Sequence, residues 1–322
     1  MPNKTASAKS AVQQTGSDIQ TQENFEACLV SGLDKVWKRE WMHPREGEQF
    51  FRSETTNKKT LNFQNYRSIG TLVEQNRDAD DIPYDTRGEG FSHSVTTNNY
   101  RKGIAIEKTL TETDQYGVVR NMQSDLAENA KIGLELVMAD VFNRGVNPTN
   151  APLLAEDGMY FIDSDRPNAY ARAGTWSNEE SVSAITPNSI FQCQLNFAAH
   201  KDEIGQLSPL QLKRMIIRPQ DQKTVWEILR SDLRPTDAMN AKNFQYGRFE
   251  YTIYNFLTDA AVYYMANDGK SPKNELAFYW RVHPGFKTWL DGSNPDITRQ
   301  RVRFSFGLGL GRPYMWRGGE VS

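Results

Sequence analysis

Residues 301–319 read RVRFSFGLGLGRPYMWRGG, with Gly307, Gly309 and Gly311 at alternate positions. Two folds compete for this stretch. A phosphate-binding glycine loop turns from a strand into a helix whose first N–H groups face the anion. Here Pro313 follows and the stretch itself holds no Gly-Lys-Ser or Gly-Lys-Thr. Val302, Phe304, Phe306, Leu308 and Leu310 instead alternate strictly with Arg301, Arg303, Ser305, Gly307 and Gly309. That period is a strand with its glycines on one face. Glycine on a strand face implies that a backbone or a large side chain comes close there.

Working outward, the chain has 322 residues, enough for one large domain or two ordinary ones. Its formal charge is −2, so no basic excess points to nucleic acid. Cys28 and Cys193 are too few for a disulfide framework and fit a reducing compartment. The segment MPNKTASAKSAVQQTGSDIQ has no apolar centre, and no long apolar run occurs elsewhere. These features lead us to expect a soluble intracellular product with no membrane partner.

Upstream, residues 1–22 are polar and lack periodicity, and are expected to be a disordered tail. Phe25, Leu29, Leu33, Val36, Trp37 and Trp41 recur at helical spacing until Pro44. This helix is either a core element or an arm on a neighbouring chain. Residues 66–101 place two strand-like flanks, SIGTLVE and FSHSVTT, around NRDADDIPYDTRGEG. They predict a long β-ribbon with an irregular tip, each arm of about 17 residues reaching on the order of 55 Å. An isolated two-stranded ribbon is marginal in water, so it needs a surface to lie on. Between Glu74 and Glu89 there are six carboxylates (Glu74, Asp78, Asp80, Asp81, Asp85, Glu89) against Arg77 and Arg87, a net −4. Asp78 and Asp80 begin a calcium-loop pattern, but its sixth position is Pro83 rather than Gly, so a solvated acidic turn is expected.

KGIAIEKTL then reads as a short strand with Ile104, Ile106 and Lys108 alternating. Met122, Leu126, Ala130, Leu134, Val137, Met138 and Val141 form one helical stripe, predicting a helix over 118–144 that stops before Gly145. Downstream, Thr186 caps a helix with Pro187 in its first turn, ending near Gly205. LQLKRMIIRP is a strand, DQKTVWEILRS a helix capped by Asp221, and RFEYTIYNFLTD a half-buried strand. The class is α+β, without the βαβ repeat of a doubly wound sheet.

Catalytic constellations are absent from this pattern. His43, His93, His200 and His283 do not pair at metal-ligand spacing, and neither cysteine has a CxxC partner. There is no GxSxG elbow, and Asp163 with Asp165 and Glu179 with Glu180 read as turn acids. No catalytic, cofactor or metal residue is assigned, and no enzyme is expected.

The succession of elements resembles the major capsid proteins of tailed bacteriophages, which share the Hong Kong 97 fold. The likeness runs from about residue 22 and is most telling in ITPNSIFQCQLNFAAHKDEIGQLSPLQLKRMIIRPQDQKTVWEILRS and NFLTDAAVYYM. It implies an N-terminal arm over 1–45 and a peripheral domain beginning over 46–150, with an extended loop at 66–101 and a spine helix at 118–144. It also implies an axial domain over 151–295 and a closing peripheral strand within 296–322. The implied function is an icosahedral shell of pentamers and hexamers around the DNA of a tailed phage, put together in the bacterial cytoplasm. Implied partners are the protein itself, a separate scaffold, a portal and a decoration protein, with weak, non-specific contact with packaged double-stranded DNA. Some family members cross-link through a lysine in the loop. No lysine occurs from Leu61 to Arg101, so a non-covalent shell is expected. The short stretch before residue 22 leads us to expect no fused scaffolding segment.

In this picture Arg77, Asp78, Asp80, Asp81, Asp85, Arg87 and Glu89 are the inter-subunit residues of the loop. Arg299, Arg301, Arg303 and Arg312 are candidates to receive it or to line the peripheral sheet, since Ile297–Arg317 holds five arginines and no carboxylate. A solvated strand face is the plainer reading of those arginines. Two other functions stay open: an encapsulin-like compartment for protein cargo, and a nucleotide-dependent enzyme resting on GLGLG.

Overall fold

The computed structural model describes residues 45–66, 88–113, 117–146, 153–167, 174–180, 184–202, 205–233, 242–259, 262–267, 276–294 and 296–320, together with 41, 84 and 86. In chain order the strands and helices are β1 (Arg52–Thr55), β2 (Thr60–Tyr66), β3 (Glu89–Thr96), β4 (Asn98–Glu107), α1 (Lys108–Glu112) and α2 (Val118–Asn143). There follow β5 (Arg166–Pro167), β6 (Thr175–Trp176), α3 (Pro187–Ala198), β7 (Arg214–Ile217), α4 (Gln222–Arg230) and β8 (Glu250–Ile253). The chain ends in β9 (Val262–Ala266), β10 (Leu276–Leu290), β11 (Ile297–Leu310) and β12 (Trp316–Glu320).

Two four-stranded sheets organise these elements, ordered β1-β10-β11-β4 and β12-β9-β7-β8. The expected helix over 118–144 is α2, and it packs on both. Its Phe142 meets Phe50 at 5.5 Å and Phe161 at 5.7 Å, edge-on, and lies 5.2 Å from Tyr264 of β9 and 5.8 Å from Trp316 of β12. Gln123, one turn into α2, donates to Gln300 of β11 at 2.8 Å. Gly145 stands just past the helix because a Cβ there would sit 2.8 Å from the Tyr264 hydroxyl and 3.1 Å from Phe161. The long helix therefore ends where the aromatic core is too close for a side chain.

The second sheet is covered on both faces. Ile216 and Tyr264 look into the α2 core, while Met215, Ile217, Tyr263 and Met265 meet Ile190, Cys193 and Phe197 of α3 and Val225, Ile228 and Leu229 of α4. All five residues of β9 are buried, as a strand with both faces covered requires. Thr186 and Ser189 form a reciprocal capping box at α3, with Pro187 at the first turn, as the sequence suggests. The helix stops at Ala198 rather than near Gly205: Lys201 and Leu207 pair across a tight turn in which Gly205 takes φ +83. Asp221 does not cap α4 through its side chain, because its carboxylate takes the Arg218 guanidinium at 2.6 Å. Burial raises the Cys193 thiol well above its usual range, which fits a packed, inert cysteine.

Three expected boundaries move. The ribbon begins at Thr60, not at residue 66: β2 pairs with β3 from Thr60↔Thr96 to Tyr66↔Glu89, with Leu61 and Phe63 on its inward face. The other flank, SIGTLVE, lies outside the described residues. Residues 98–101 belong to β4 of the first sheet, and Lys108 opens α1 instead of ending a strand. At the sheet level, Leu276–Leu290 joins the first sheet beside β11, and Trp316–Glu320 joins the second beside β9. The chain thus crosses between sheets after Ala266 and again after Leu310, where residues 311–315 separate β11 from β12. The predicted N-terminal tail and arm helix fall outside the described residues except for Trp41, which packs 6.2 Å from Phe304 with the Arg45 guanidinium 4.6 Å from its ring.

Candidate functional site

The glycine strand is β11, and what lies on it is the root of the ribbon. Along β11, Val302, Phe304, Phe306 and Leu310 face the core, while Arg299, Arg301, Arg303, Ser305, Gly307 and Gly309 share the other face. A Cβ on Gly307 would meet the Thr96 carbonyl oxygen at 2.8 Å, and one on Gly309 would meet Val95 and Tyr279 at 2.9 Å. The ribbon backbone and the Tyr279 ring occupy the space that side chains would need. Val95, Ala277 and Tyr279, with Leu61 and Phe63, make a small separate core at this junction. The surface that a two-stranded ribbon needs is supplied, at its root, by its own sheet.

A buried ionic cluster fastens the next turn of that root. Glu156, 7 % exposed, accepts from the Asn65 amide at 2.8 Å and pairs with the Arg312 guanidinium at 2.6 Å. Arg312 also donates to the Tyr314 hydroxyl at 2.9 Å and stands 4.9 Å from the ring of Phe91 in β3. His93 stacks on Phe63 at 5.1 Å with its Nδ1 3.8 Å from Glu156, and burial holds its pKa below the usual histidine range. Below the root a groove of about 600 Å3 opens between Val137 and Val141 of α2, Leu153 and β11. Arg312 is thus committed within the chain and is removed from the candidates for receiving a neighbour's loop. It touches a ribbon, but its own.

The remaining predicted arginines are dispersed more unevenly than their spacing suggests. Arg299 pairs with Asp291 at 2.5 Å, and Arg317 is buried against Glu180 in the second sheet. Glu180 is accordingly a buried counter-ion, not a turn acid. Arg301 and Arg303 share the bare part of the odd-numbered β11 face, and the pairing register sets two further cations beside them: Arg303 lies opposite Arg101, and Arg301 opposite Lys287. Among the described residues none of these four cations has a carboxylate partner. Of the predicted ribbon residues, Glu89 begins β3, exposed, while Arg77, Asp78, Asp80, Asp81, Asp85 and Arg87 lie outside the described residues. Sequence reasoning missed Asn65, His93 and Glu156. The alternation of TLNFQNY could have shown that the ribbon starts earlier, but nothing local ties Glu156 to it.

Among the described residues, no three His, Cys, Asp or Glu side chains gather as a metal site, and no helix is long and apolar enough to cross a membrane. The described residues thus hold a fastened ribbon root and, on the same strand face, a group of cations without carboxylate partners.

The fold is similar to that of chains from solved capsids and particles. The chain matches a subunit from the mature capsid of bacteriophage PhiM1 with a TM-score of 0.56 at 7 % identity, covering 87 % of each chain. It matches one from the capsid of cyanophage P-SCSP1u with a TM-score of 0.53 at 13 % identity, over 86 % of this chain and 89 % of that one. A virus-like particle from Pyrococcus furiosus gives a TM-score of 0.53 at 9 % identity, over 91 % of this chain and 99 % of that one. No family model and no curated protein sequence matches. The fold is that of phage capsid subunits and fits the Hong Kong 97 architecture that the sequence resembles.

Proposed function

We propose that this chain is the major capsid protein of a tailed phage, assembling as pentamers and hexamers into the icosahedral shell around its double-stranded DNA. The observation that carries the proposal is the shared fold over 87 % of the chain with a mature phage capsid subunit. In this reading the first sheet, α2 and the ribbon form the peripheral domain, and the second sheet with α3 and α4 forms the axial domain. The extended loop carries Arg77, Asp78, Asp80, Asp81, Asp85, Arg87 and Glu89 to an adjacent subunit. The role is structural rather than enzymatic. Scaffold, portal and decoration proteins are the expected partners, assembly takes place in the host cytoplasm, and contact with packaged DNA is non-specific.

Light scattering of the purified chain, with negative-stain imaging of the same fraction, tests this. Rings or closed shells tens of nanometres across, alone or with scaffold, are expected on the scale set by the fold. A persistent 36.8 kDa monomer under both conditions overturns it. A second reading, a protein compartment, draws on the Pyrococcus furiosus particle, of whose chain 99 % is covered. Nucleic acid inside particles from infected cells favours the phage shell, and an enclosed protein cargo favours the compartment.

A further inference from the structure

We propose that Gln123 of α2, Gln300 of β11 and Thr288 of β10 together hold one buried water, which seats the start of the long helix on the first sheet. The inference concerns the packing of α2 and does not depend on the shell reading.

The side chains carry it. Gln123 and Gln300 are 2 % and 1 % exposed, and they meet through a single hydrogen bond, the Gln123 Nε2 donating to the Gln300 Oε1 at 2.8 Å. That bond uses the nitrogen of one amide and the oxygen of the other. The Gln123 Oε1 and the Gln300 Nε2 are buried without a partner among the described residues, and so is the Thr288 hydroxyl. Thr288 is the direct cross-strand neighbour of Gln300, so the two side chains share a face with Cβ atoms about 5 Å apart. Three unmatched polar atoms from three elements thus gather at one point of the helix–sheet interface. Around them the interface is apolar. Val302 and Phe286 fill the next row of the sheet, Ile104 stands on the other side of Gln300, and Leu126 and Ala127 follow on α2.

The chemistry selects the ligand. Of the atoms left over, one is an acceptor, one a donor, and the hydroxyl can be either. Turning both amides over exchanges the two roles and still leaves one donor and one acceptor. A cation would face the amide N–H and an anion the amide oxygen. Water accepts from the Gln300 Nε2 and donates to the Gln123 Oε1, with a bond to spare for Thr288. Three bonds to otherwise unpaired groups are usual for a buried water. Leaving the same atoms dry in an apolar interface carries the desolvation penalty of each. The water also fixes where the helix lies, because a shift of α2 by one turn brings Val119 or Ala127 opposite Gln300 and strands both amides.

The exchange Thr288→Val tests this on the unassembled full-length chain, because its sign depends on the water. With the water in place, T288V removes one of its three bonds and should raise the urea unfolding constant about two- to tenfold. In a Q123L/Q300L background, which has no amides to hold the water, the same exchange should no longer destabilise. If the amides instead close on each other through both edges, the Thr288 hydroxyl is buried with nothing to bond. T288V then leaves stability unchanged or raises it, and the proposal is overturned. An equal loss in both backgrounds gives the hydroxyl another partner and overturns it too. A crystal structure or particle reconstruction that resolves ordered waters is the direct check. Density within hydrogen-bond distance of all three atoms is expected, and a dry, reciprocal amide pair refutes the site. Should Q123L/Q300L fail to fold, the sign of T288V in the wild-type chain and the density decide.

Discussion

One strand face behaves in two ways within a few residues. At Gly307 and Gly309 the odd-numbered face of β11 is buried under the ribbon root, and the polar groups of that root find partners inside the chain: Asn65 and Arg312 on Glu156, Arg312 again on Tyr314. At Arg301 and Arg303 the same face is bare, and its charges sit opposite like charges. A buried charge must be paired to be tolerated, whereas an exposed cluster loses only tenths of a kcal/mol per pair. The first arrangement therefore belongs to folding. The second has no carboxylate partner among the described residues and persists at a small cost.

The largest expected effect comes from breaking the root. Glu156→Leu leaves the Arg312 guanidinium buried without its counter-charge and should cost about 3–5 kcal/mol in urea unfolding. The double variant E156L/R312L should recover much of that loss, because it removes both charges together. If E156L unfolds like wild type, the root is not fastened by this pair and the contrast with the bare face weakens.

Glycine substitutions sharpen the contrast along the strand face. Gly307→Ala places a Cβ 2.8 Å from the Thr96 carbonyl oxygen, a backbone atom that moves only with the whole ribbon root. A cost of about 1–3 kcal/mol is expected from such overpacking. At Gly285, across from Arg303, a Cβ meets nothing nearer than 3.9 Å, so Gly285→Ala should stay within about 0.5 kcal/mol. Equal costs at the two glycines in thermal unfolding would mean that the root does not press on the sheet.

How much of this was legible beforehand follows the range of each interaction. The alternation in Arg301–Leu310 and the stripe from Met122 to Val141 are local patterns, and both elements stand where the sequence places them. The Thr186 cap is equally local. Glu156 is not legible, because it sits in a loop and its partners Asn65 and Arg312 are far away in sequence. Arg312 misled for the same reason: in an arginine-rich stretch it looks like its neighbours, and only the fold shows it turned inward. The cluster of Arg101 and Lys287 with Arg303 and Arg301 required the strand register, which the β10 irregularities between Trp280 and Gly285 hide from any residue count.

A pH titration probes the root more gently. Burial depresses the His93 pKa, so the unfolded chain takes up a proton before the folded one does. The contribution of neutral His93 is fully present above the unfolded value near 6.5 and is lost as pH falls below it. The Glu156 carboxylate stands 3.8 Å from the His93 Nδ1, but burial decides the direction. Stability should decline on acidification with a slope of less than one proton, and His93→Gln should flatten that part of the profile. An unchanged slope in H93Q would assign the acid sensitivity to carboxylates elsewhere.

The smallest effect has the opposite sign, and so bears most directly on the bare face. If Arg303 serves only a contact between copies, removing its charge relieves repulsion with Arg101 and leaves the packed core untouched. Arg303→Gln should then raise the urea midpoint of the unassembled chain slightly, by the equivalent of about 0.2–1 kcal/mol, while the same variant assembles less well at low salt. A residue with a folding role cannot show that combination, because losing it would lower both. If R303Q destabilises the monomer, the two parts of the β11 face do one job after all, and the cations belong to the fold rather than to a neighbour.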